Sequence, residues 1–365
     1  MSTFQYANPS VIHWGQGCVR AKLGSELDRL GAQRVLLVTT ASVARNRQLA
    51  PAVESLLGQR LAGRFASISQ HVPVHQVMEG VEAARRVRAD AFVSLGGGSP
   101  IDAAKAMAFA LAAEVDLMTS SAVPCAKKLG HVLPHLAIPT TLSAAELSQG
   151  AGFTVEGTHE KAGVSAPELL AAAVFYDPDL SLSTPLALWL STGIRAVDHA
   201  AETLLAPGEH PLPDVAAVEA LRRLKAGLLT THSDPDDLEA RIQCQMGAWF
   251  SYLLPGLSAR GLSHTLSKRL GSRHSIPHGV SSCLTLPHVL RYLAARRPEP
   301  MRRIAEALGA VDAADAVAQL VAALGLPQHL SAWDLTDDDL LEAVRTVASD
   351  EYPESDLLDI LRAAS

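Results

Sequence analysis

Short apolar runs alternate with amphipathic segments along the first half of the chain. Runs such as Val35-Leu36-Leu37-Val38 have the length and composition typical of strands buried on both faces. The intervening segments place apolar side chains at helical spacing. Strands are predicted at 34–39, 91–95, 135–138 and 172–176, and helices at 49–61, 81–87 and 99–113. Strands that alternate with helices predict a parallel sheet covered on both faces.

The second half has a different pattern. From Pro185 onward the segments are long, amphipathic and rich in alanine and leucine, and strand signals are nearly absent. Helices are predicted at 186–205, 214–230, 238–253, 300–308, 313–324 and 337–348. We therefore predict an α/β domain over residues 1–183 and an all-helical domain over residues 184–365. Two such domains are expected to share a cleft, which is a common place for a cofactor and a substrate.

Composition limits the class of protein. Hydrophobic residues make up 48% of the chain and charged residues 19%, which favours a globular protein. The net charge of −7, without a Lys/Arg-rich block, argues against nucleic-acid binding but leaves room for a local basic pocket. No apolar run has membrane-spanning length, and no basic segment precedes an apolar one near Met1. Four scattered cysteines favour a reducing compartment, so we expect a soluble cytoplasmic protein.

A glycine triplet, Gly96-Gly97-Gly98, directly follows a predicted strand and precedes a predicted helix. Ser99 suits the N-cap of that helix, Pro100 its first position and Asp102 its third, much as in a capping box. Glycines let a phosphate approach backbone N–H groups at a helix start. A tight turn without a ligand explains the pattern about equally well, and the pattern is not G-x-G-x-x-G.

Hydroxyl side chains follow the third predicted strand, at Thr140, Thr141 and Ser143. Hydroxyls at the carboxyl end of a strand could bond to a phosphate, a ribose or a nicotinamide amide. Considered without the rest of the chain, they favour a polar loop whose hydroxyls bond to nearby backbone.

Three of the fourteen histidines have suggestive neighbours. His199 has Arg195 one helical turn before it, His264 has Lys268 four residues after it, and His278 follows a proline at a predicted helix start. Histidines on separate helices that line a cleft could bind a divalent metal or move protons. Each one alone is more often a surface or partly buried histidine. Nearby aromatic residues at helical spacing favour core packing over pocket lining: Trp189, Trp249, Phe250 and Tyr252.

In their order along the chain, these motifs resemble the iron-containing alcohol dehydrogenases, most closely their maleylacetate-reductase branch. The resemblance covers nearly the whole chain. The matching segments are 4–17, 30–35, 71–74, 96–105, 138–143, 176–178, 192–193, 199–202, 261–264 and 277–279. It implies the dehydroquinate synthase-like fold, with a dinucleotide-binding α/β domain and an all-α C-terminal domain. It also implies a homodimer.

The resemblance implies hydride transfer involving NAD(P)H. It places the pyrophosphate at Gly97, Gly98 and Ser99, the nicotinamide end near Asp102, and further cofactor contacts at Thr140, Thr141 and Ser143. Many NAD-preferring members carry an acid where this chain has Thr40. Without that carboxylate a 2′-phosphate is not repelled, so the choice between NADH and NADPH stays open.

Two residues depart from the family pattern. Metal-dependent members bind iron or zinc with one Asp and three His; His199, His264 and His278 match the histidines, but Arg195 stands at the Asp position. A guanidinium cannot ligate a cation and repels one nearby. We expect Asp198 to face away from Arg195, because each residue of a helix turns the side chain by about 100°. Metal-free chemistry is therefore favoured, with the metal question left open. The second departure is Lys268, where the family commonly has a histidine.

The chain is thus predicted to be an NAD(P)H-dependent reductase of a small, anionic, carboxylated carbonyl or enoate substrate. Arg195 and Lys268 would bind the carboxylate, and one of His199, His264 and His278 would donate the proton. Three alternatives stay open. They are a metal-dependent alcohol or aldehyde dehydrogenase, a lyase or synthase resembling dehydroquinate synthase, and a non-catalytic dinucleotide-binding member.

Overall fold

The computed structural model describes residues 6, 8–119, 129–155, 161–253, 261–274 and 276–365. The packing of the Cα atoms divides the chain into two compact units, one over residues 7–184 and one over residues 185–365 together with Tyr6. Cys18, Cys244 and Cys283 are buried free thiols, and Cys125 lies outside the described residues. No helix in the described ranges is both long and apolar enough to span a bilayer.

The first unit is built on a six-stranded parallel sheet in the order β1-β8-β5-β4-β2-β3, with a separate antiparallel hairpin of β6 and β7. The strands are β1 (Ile12–Trp14), β2 (Val35–Thr40), β3 (Leu61–Ile68), β4 (Ala91–Gly96), β5 (His135–Pro139), β6 (Gly150–Thr154), β7 (Lys161–Ser165) and β8 (Ala173–Tyr176). The helices are α1 (Cys18–Leu30), α2 (Ala41–Arg45), α3 (Leu49–Leu57), α4 (Val74–Val87), α5 (Gly98–Ala113) and α6 (Pro178–Ser181). The predicted α/β class with a parallel sheet is confirmed.

Helices cover both faces of this sheet, because the central strands are apolar on both sides. Along β2, Leu36 and Val38 pack into one core cluster, while Val35 and Leu37 pack into the other. This alternation follows from the two-residue period of a strand. The strand prediction failed at the sheet edge. Residues up to 61 were predicted as helix, but α3 ends at Leu57 and β3 begins at Leu61.

The pattern of β3 explains the failure. Within β3 only Phe65 and Ile68 are buried, because an edge strand lacks a neighbour on one side. A strand with so few buried positions shows no continuous apolar run, and its first residue extended the helical spacing of α3. The hairpin of β6 and β7 also gave no signal that the sequence analysis used.

The order of the strands creates a crevice beyond the carboxyl ends of the central parallel strands. From β2 the chain leads to β3 on one side, and from β4 it leads to β5 on the other side. The connections that follow β2 and β4 therefore diverge. In register, Thr39 lies beside Leu95, and Gly96 lies beside Pro139. In open parallel sheets, ligands bind at such a switch point, beyond the carboxyl ends of the strands.

The second unit is helical throughout its described residues. Its helices are α7 (Leu186–Leu205), α8 (Pro211–Ser233), α9 (Leu238–Ser251), α10 (Leu262–His274), α11 (His278–Leu293), α12 (Pro298–Ala307), α13 (Ala313–Ala323), α14 (Asp337–Arg345) and α15 (Glu354–Ala363). Every residue of α7 from Trp189 to Leu204 is buried. Helices α8, α9, α10 and α11 all pack against α7, so α7 is the central element of this unit.

The approach of α11 to α7 depends on Gly279, which follows His278 at the start of α11. A Cβ at position 279 would lie 2.6 Å from both the carbonyl carbon and the carbonyl oxygen of Ser191 on α7. The obstructing atoms are backbone, which cannot rotate away as a flexible side chain can. A glycine is therefore required for the two helices to pack this closely.

We expect Gly279→Ala to lower the free energy of unfolding by about 1–3 kcal/mol, because the added methyl group overpacks this contact. Gly24→Ala on α1 is the matched control, since nothing lies within 4 Å of its new Cβ. That control should stabilise the protein by about 0.5–1 kcal/mol, because alanine is the better helix former. Thermal and urea unfolding measure both changes. Equal stability of the two variants would contradict the packing argument.

Candidate active site

The glycine triplet lies at the switch point of the sheet. Gly96 ends β4 with φ of 139°, a conformation that favours glycine, and its carbonyl accepts the N–H of Thr140 at 2.8 Å. Helix α5 begins at Gly98, and its N-cap is Gly97. The prediction of Ser99 as N-cap was wrong, since Ser99 and Pro100 lie inside the first turn. The N-cap has no side chain, so no capping box forms and the first N–H groups stay available.

Two hydroxyls face the glycine turn without a partner. Thr141 Oγ1 and Ser143 Oγ are buried and make no hydrogen bond with the described residues. A Cβ at Gly97 would lie 3.2 Å from the first, and a Cβ at Gly98 would lie 3.2 Å from the second. Buried polar groups are normally hydrogen-bonded. The orphaned hydroxyls, packed closely against the glycine backbone at a helix start, therefore fit a polar ligand such as a dinucleotide pyrophosphate.

Asp102 and Lys105 lie one turn apart on α5 and form an ion pair at 3.0 Å. Lys105 is fully buried and donates to the carbonyl oxygens of Ala145, Ser148 and Gly150. Asp102 also accepts the N–H of Gly152, in the middle of β6, at 3.4 Å. These bonds fasten the segment after Ser143 to α5 and hold the Asp102 carboxylate in place.

Thr40 ends β2 at the same edge of the sheet. Its hydroxyl caps the short helix α2 by accepting the N–H of Val43 at 3.3 Å, and it lies 2.9 Å from the hydroxyl of Ser42. The structure thus brings together all the residues predicted to bind a cofactor, at the ends of β2, β4 and β5 and in the first turns of α5: Thr40, Gly97, Gly98, Ser99, Asp102, Thr140, Thr141 and Ser143.

Glu146, which follows β5, is a buried carboxyl close to the carboxyl ends of the strands. Tyr176 donates its hydroxyl hydrogen bond to Glu146 Oε1 at 2.9 Å, and Glu146 is fully buried. Burial raises the pKa of Glu146 to about 7, although the hydrogen bonds that it accepts and the charge of Lys105 act in the opposite direction. No motif or spacing in the sequence marks this pair.

The helical unit holds the second set of predicted residues, centred on a buried guanidinium. Arg195 is 7% exposed. Its Nη1 donates to Asp198 Oδ2 at 3.1 Å, to Ser267 Oγ at 2.8 Å and to Ser282 Oγ at 2.7 Å. Three helices, α7, α10 and α11, supply these acceptors. We call Asp198, Ser267 and Ser282 the arginine seat.

The hydroxyl hydrogens of Ser267 and Ser282 already make hydrogen bonds to other acceptors than Arg195. Ser282 donates its proton to Asp198 Oδ2 at 2.7 Å, and Ser267 donates to the carbonyl oxygen of His264 at 3.1 Å. Both oxygens therefore present lone pairs, and only lone pairs, to Nη1. Such a seat accepts a donor and is suited to a cation, which Asp198 neutralises.

The expectation that Asp198 faces away from Arg195 was wrong. The two residues form an ion pair at 3.1 Å on α7. Residues three apart on a helix are separated by about 300°, which leaves them only about 60° apart around the axis. The long arginine side chain covers the remaining distance.

The imidazole ring of His264 lies next to the guanidinium, and the ring of His199 lies next to that of His264. Arg195 Nη2 lies 2.7 Å from Nδ1 and 3.1 Å from Nε2 of His264, and the rings of His264 and His199 are 5.7 Å apart. Tyr252 covers His199 with its ring at 4.3 Å. Burial first, and then the charge of Arg195, hold the pKa values of His199 and His264 well below the usual range. Both rings are therefore neutral near pH 7.

Lys268 and His278 lie beside this cluster. Lys268 reaches the surface one turn beyond His264 on α10, and partial burial, followed by the charges of Arg269 and Arg195, lowers its pKa. His278 is the first residue of α11, and its ring packs against α10, where a Cβ at Gly271 would lie 3.2 Å from His278 Nδ1. The helical unit thus gathers all five residues predicted to be catalytic: Arg195, His199, His264, Lys268 and His278.

Sequence reasoning missed several members of this site. Ser267 and Ser282 are ordinary serines on helices, and no spacing rule marks them. Among the aromatic residues, Trp189 is fully buried against Arg241, as expected for core packing. Tyr252 instead packs on His199. Its position at the end of α9 offered no signal that distinguished it.

Two family models match the chain. The model of the iron-containing alcohol dehydrogenases matches residues 9–178, and that of the C-terminal part of the Fe-containing alcohol dehydrogenase family matches residues 189–359. The chain belongs to the iron-containing alcohol dehydrogenase family. A relative from Pseudomonas sp. (strain P51), a maleylacetate reductase, is 33% identical over 345 residues, which are 94% of this chain and 90% of the relative. The predicted family and the prediction of an NAD(P)-dependent oxidoreductase are confirmed.

Solved structures of the family agree with this assignment. A maleylacetate reductase from Agrobacterium tumefaciens is 30% identical, with a TM-score of 0.83 over 100% of this chain and 98% of that one. An iron-containing alcohol dehydrogenase from Corynebacterium glutamicum is 26% identical, with a TM-score of 0.84 over 100% and 97%. Both similarities extend over the α/β and the helical parts.

The family name implies an iron ion, for which His199, His264 and His278 would be the donors. The residues do not fit that ion. Arg195 Nη2 lies within hydrogen-bond distance of both ring nitrogens of His264, where an approaching metal would need a free lone pair. The guanidinium also repels a cation, and the seat holds it in place through Nη1.

The buried Glu146 predicts a dependence of stability on pH. Below its ordinary pKa of 4.5 the carboxyl is protonated in the folded and the unfolded protein. As the pH rises, the unfolded chain loses this proton first. The stability that the neutral carboxyl contributes is thus lost as the pH rises through its folded pKa of about 7. We expect the Tm of the wild type to fall more steeply between these values than that of Glu146→Gln.

Scanning calorimetry at intervals from pH 4.5 to 7.5 measures the difference. Glu168→Gln is the matched control, because Glu168 is exposed and its replacement leaves the buried group intact. If Glu146→Gln and Glu168→Gln follow the same pH profile, Glu146 does not titrate as described.

Proposed function

We propose that the chain is an NAD(P)H-dependent reductase of a small carboxylated carbonyl or enoate compound, with maleylacetate as the first substrate to test. The observation that carries this proposal is the buried guanidinium of Arg195 in its seat, in a protein whose relatives are maleylacetate reductases. We further propose that it acts in the cytoplasm as a homodimer.

The α/β unit would bind the coenzyme. The free N–H groups at the start of α5 and the hydroxyls of Thr141 and Ser143 suit the pyrophosphate. Asp102 suits the amide end of the nicotinamide, since Lys105 fixes its carboxylate. Thr40 at the end of β2 offers a hydroxyl, and no carboxylate, to the adenosine ribose, so the proposal covers NADH and NADPH alike. When bound, the coenzyme supplies the hydride.

The helical unit would bind the substrate through Arg195. The seat uses the hydrogens of Nη1, and His264 accepts one from Nη2. Nε–H bonds to none of the described residues, so Nε–H and the second hydrogen of Nη2 stay available as a fork for one carboxylate. Lys268 adds a second positive charge at the surface of the same helix that carries His264.

The proton that accompanies the hydride would come from one of His199, His264 and His278. His199 and His264 are neutral, so either would donate a hydrogen bond to the oxygen on which negative charge develops, and would pass its proton on only while its other nitrogen takes up a proton from solvent. The fixed charge of Arg195 stabilises the same negative charge. In this proposal the guanidinium does the electrostatic work that a metal ion does in metal-dependent members, so the reaction is metal-free.

We expect protein purified without chelators to contain well below one metal ion per chain, and dialysis against EDTA to leave its activity intact. Arg195→Asp is the control for detection, because it would place a carboxylate one turn before His199 in place of the repelling cation. Elemental analysis compares the two proteins after incubation with zinc. Stoichiometric iron or zinc in the wild type would refute the metal-free proposal.

Two substitutions should separate the two binding functions. Arg195→Lys keeps a charge beside Asp198 but loses the planar fork, so KM for the carboxylated substrate should rise about 10–100-fold while the Kd for NADH stays constant. Gly98→Ala should raise the Kd for NADH about ten-fold, because the added Cβ would lie 3.2 Å from Ser143 Oγ and crowd the hydroxyl proposed to bind the pyrophosphate. Steady-state kinetics and NADH fluorescence measure these constants.

Arg223→Lys is the matched control for charge-preserving replacement, since Arg223 pairs with Glu219 away from the seat. It should change neither constant. An Arg195→Lys enzyme with wild-type kcat and KM would show that Arg195 does not bind the carboxylate. We avoid Arg195→Ala as the main variant, because leaving Asp198 buried without its partner costs about 3–5 kcal/mol.

A further inference from the structure

Glu202 makes an unusual contact between α7 and α10. It lies on α7 two turns beyond Arg195, is 3% exposed, and accepts the backbone N–H of His264 through Oε1 at 3.0 Å. The first N–H groups of a helix have no partner inside it, so the carboxyl of α7 acts as the N-terminal cap of α10.

The carboxyl of Glu202 lies against Gly261, the residue immediately before α10. A Cβ at position 261 would lie 2.0 Å from Glu202 Cδ and 2.2 Å from each carboxyl oxygen. Real side chains do not approach this closely, so the carboxyl packs directly on the glycine backbone. A glycine is required here because any Cβ would occupy the space of the Glu202 carboxyl.

Helix α10 carries the groups that meet Arg195. Ser267 accepts from Nη1, His264 accepts from Nη2, and Lys268 follows on the same helix. The helix is therefore attached to α7 at two points, at its first turn by Glu202 and one turn later by Arg195. Helix α10 also packs on α11 through Leu262, Leu266 and Leu270, and the two polar contacts add fixed points along α7.

We infer that Glu202 is a positioning residue, whose carboxyl on Gly261 holds the first turn of α10 and thereby sets His264, Ser267 and Lys268 against Arg195. We call Glu202, Gly261 and the backbone N–H of His264 the carboxyl clamp. The expected effect of the clamp on the substrate KM rests on the proposed function. The energetic coupling between positions 202 and 261 does not.

The test is a double-mutant cycle with Glu202→Ala, Gly261→Ala and the combined variant, together with Glu202→Gln. Gly261→Ala alone drives a methyl group into the carboxyl, so it should lower the Tm and raise the substrate KM about ten-fold. In the Glu202→Ala background the same methyl group enters vacated space. The penalty of the second substitution should then largely disappear, so the effects should be strongly non-additive.

Glu202→Gln retains an acceptor oxygen of the same reach and should recover most of the activity that Glu202→Ala loses. The Kd for NADH should stay constant in all four variants, which a general loss of folding would not allow. Additive changes in Tm for the two alanine substitutions, or a Gln variant no better than the Ala variant, would overturn the inference. The Tm cycle needs no substrate, so failure of the proposed reductase activity would be recognised separately.

Discussion

A positive charge buried among three helices organises the helical unit. Arg195 would be costly in this position without partners, and its surroundings supply them: a carboxylate for its charge and oxygen lone pairs for its hydrogens. Burial, together with this charge, lowers the pKa values of the neighbouring imidazoles and keeps them neutral. The fixed orientation of the guanidinium leaves a defined pair of donors for an incoming anion. The chemistry proposed for the protein follows from this one placement.

The two units obtain their sites in different ways. In the α/β unit the site follows from topology, because the strand order separates the connections after β2 and β4 and leaves a crevice where the glycine turn lies. Any sequence that forms this sheet has the crevice, and a few small or hydroxylated residues adapt it. In the helical unit the site follows from side chains that meet from separate helices. It therefore depends on close contacts such as those at Gly279 and Gly261.

This difference explains how much the sequence could predict. Buried strands, amphipathic helices and the turn at Gly96 are local patterns, and they sufficed for the fold class and for placing the glycine turn between a strand and a helix. The serines at 267 and 282 are distant in sequence from Arg195, and only the packed helices bring them together. The interpretation of Asp198 failed for a related reason. It considered the direction of one residue step but not the reach of an arginine or the other acceptors around it.

The positive charge held by the arginine seat belongs to the chain itself, unlike the charge of a bound metal ion. A metal ion binds with an equilibrium constant, competes with other ions and, when it is iron, changes its oxidation state. The guanidinium of Arg195 is covalently part of the chain, so its positive charge does not depend on the binding of an ion. Every folded chain therefore carries this charge at the site. If the proposed metal-free reaction holds, a cell that makes this chain needs no metal supply to complete the charge of this site.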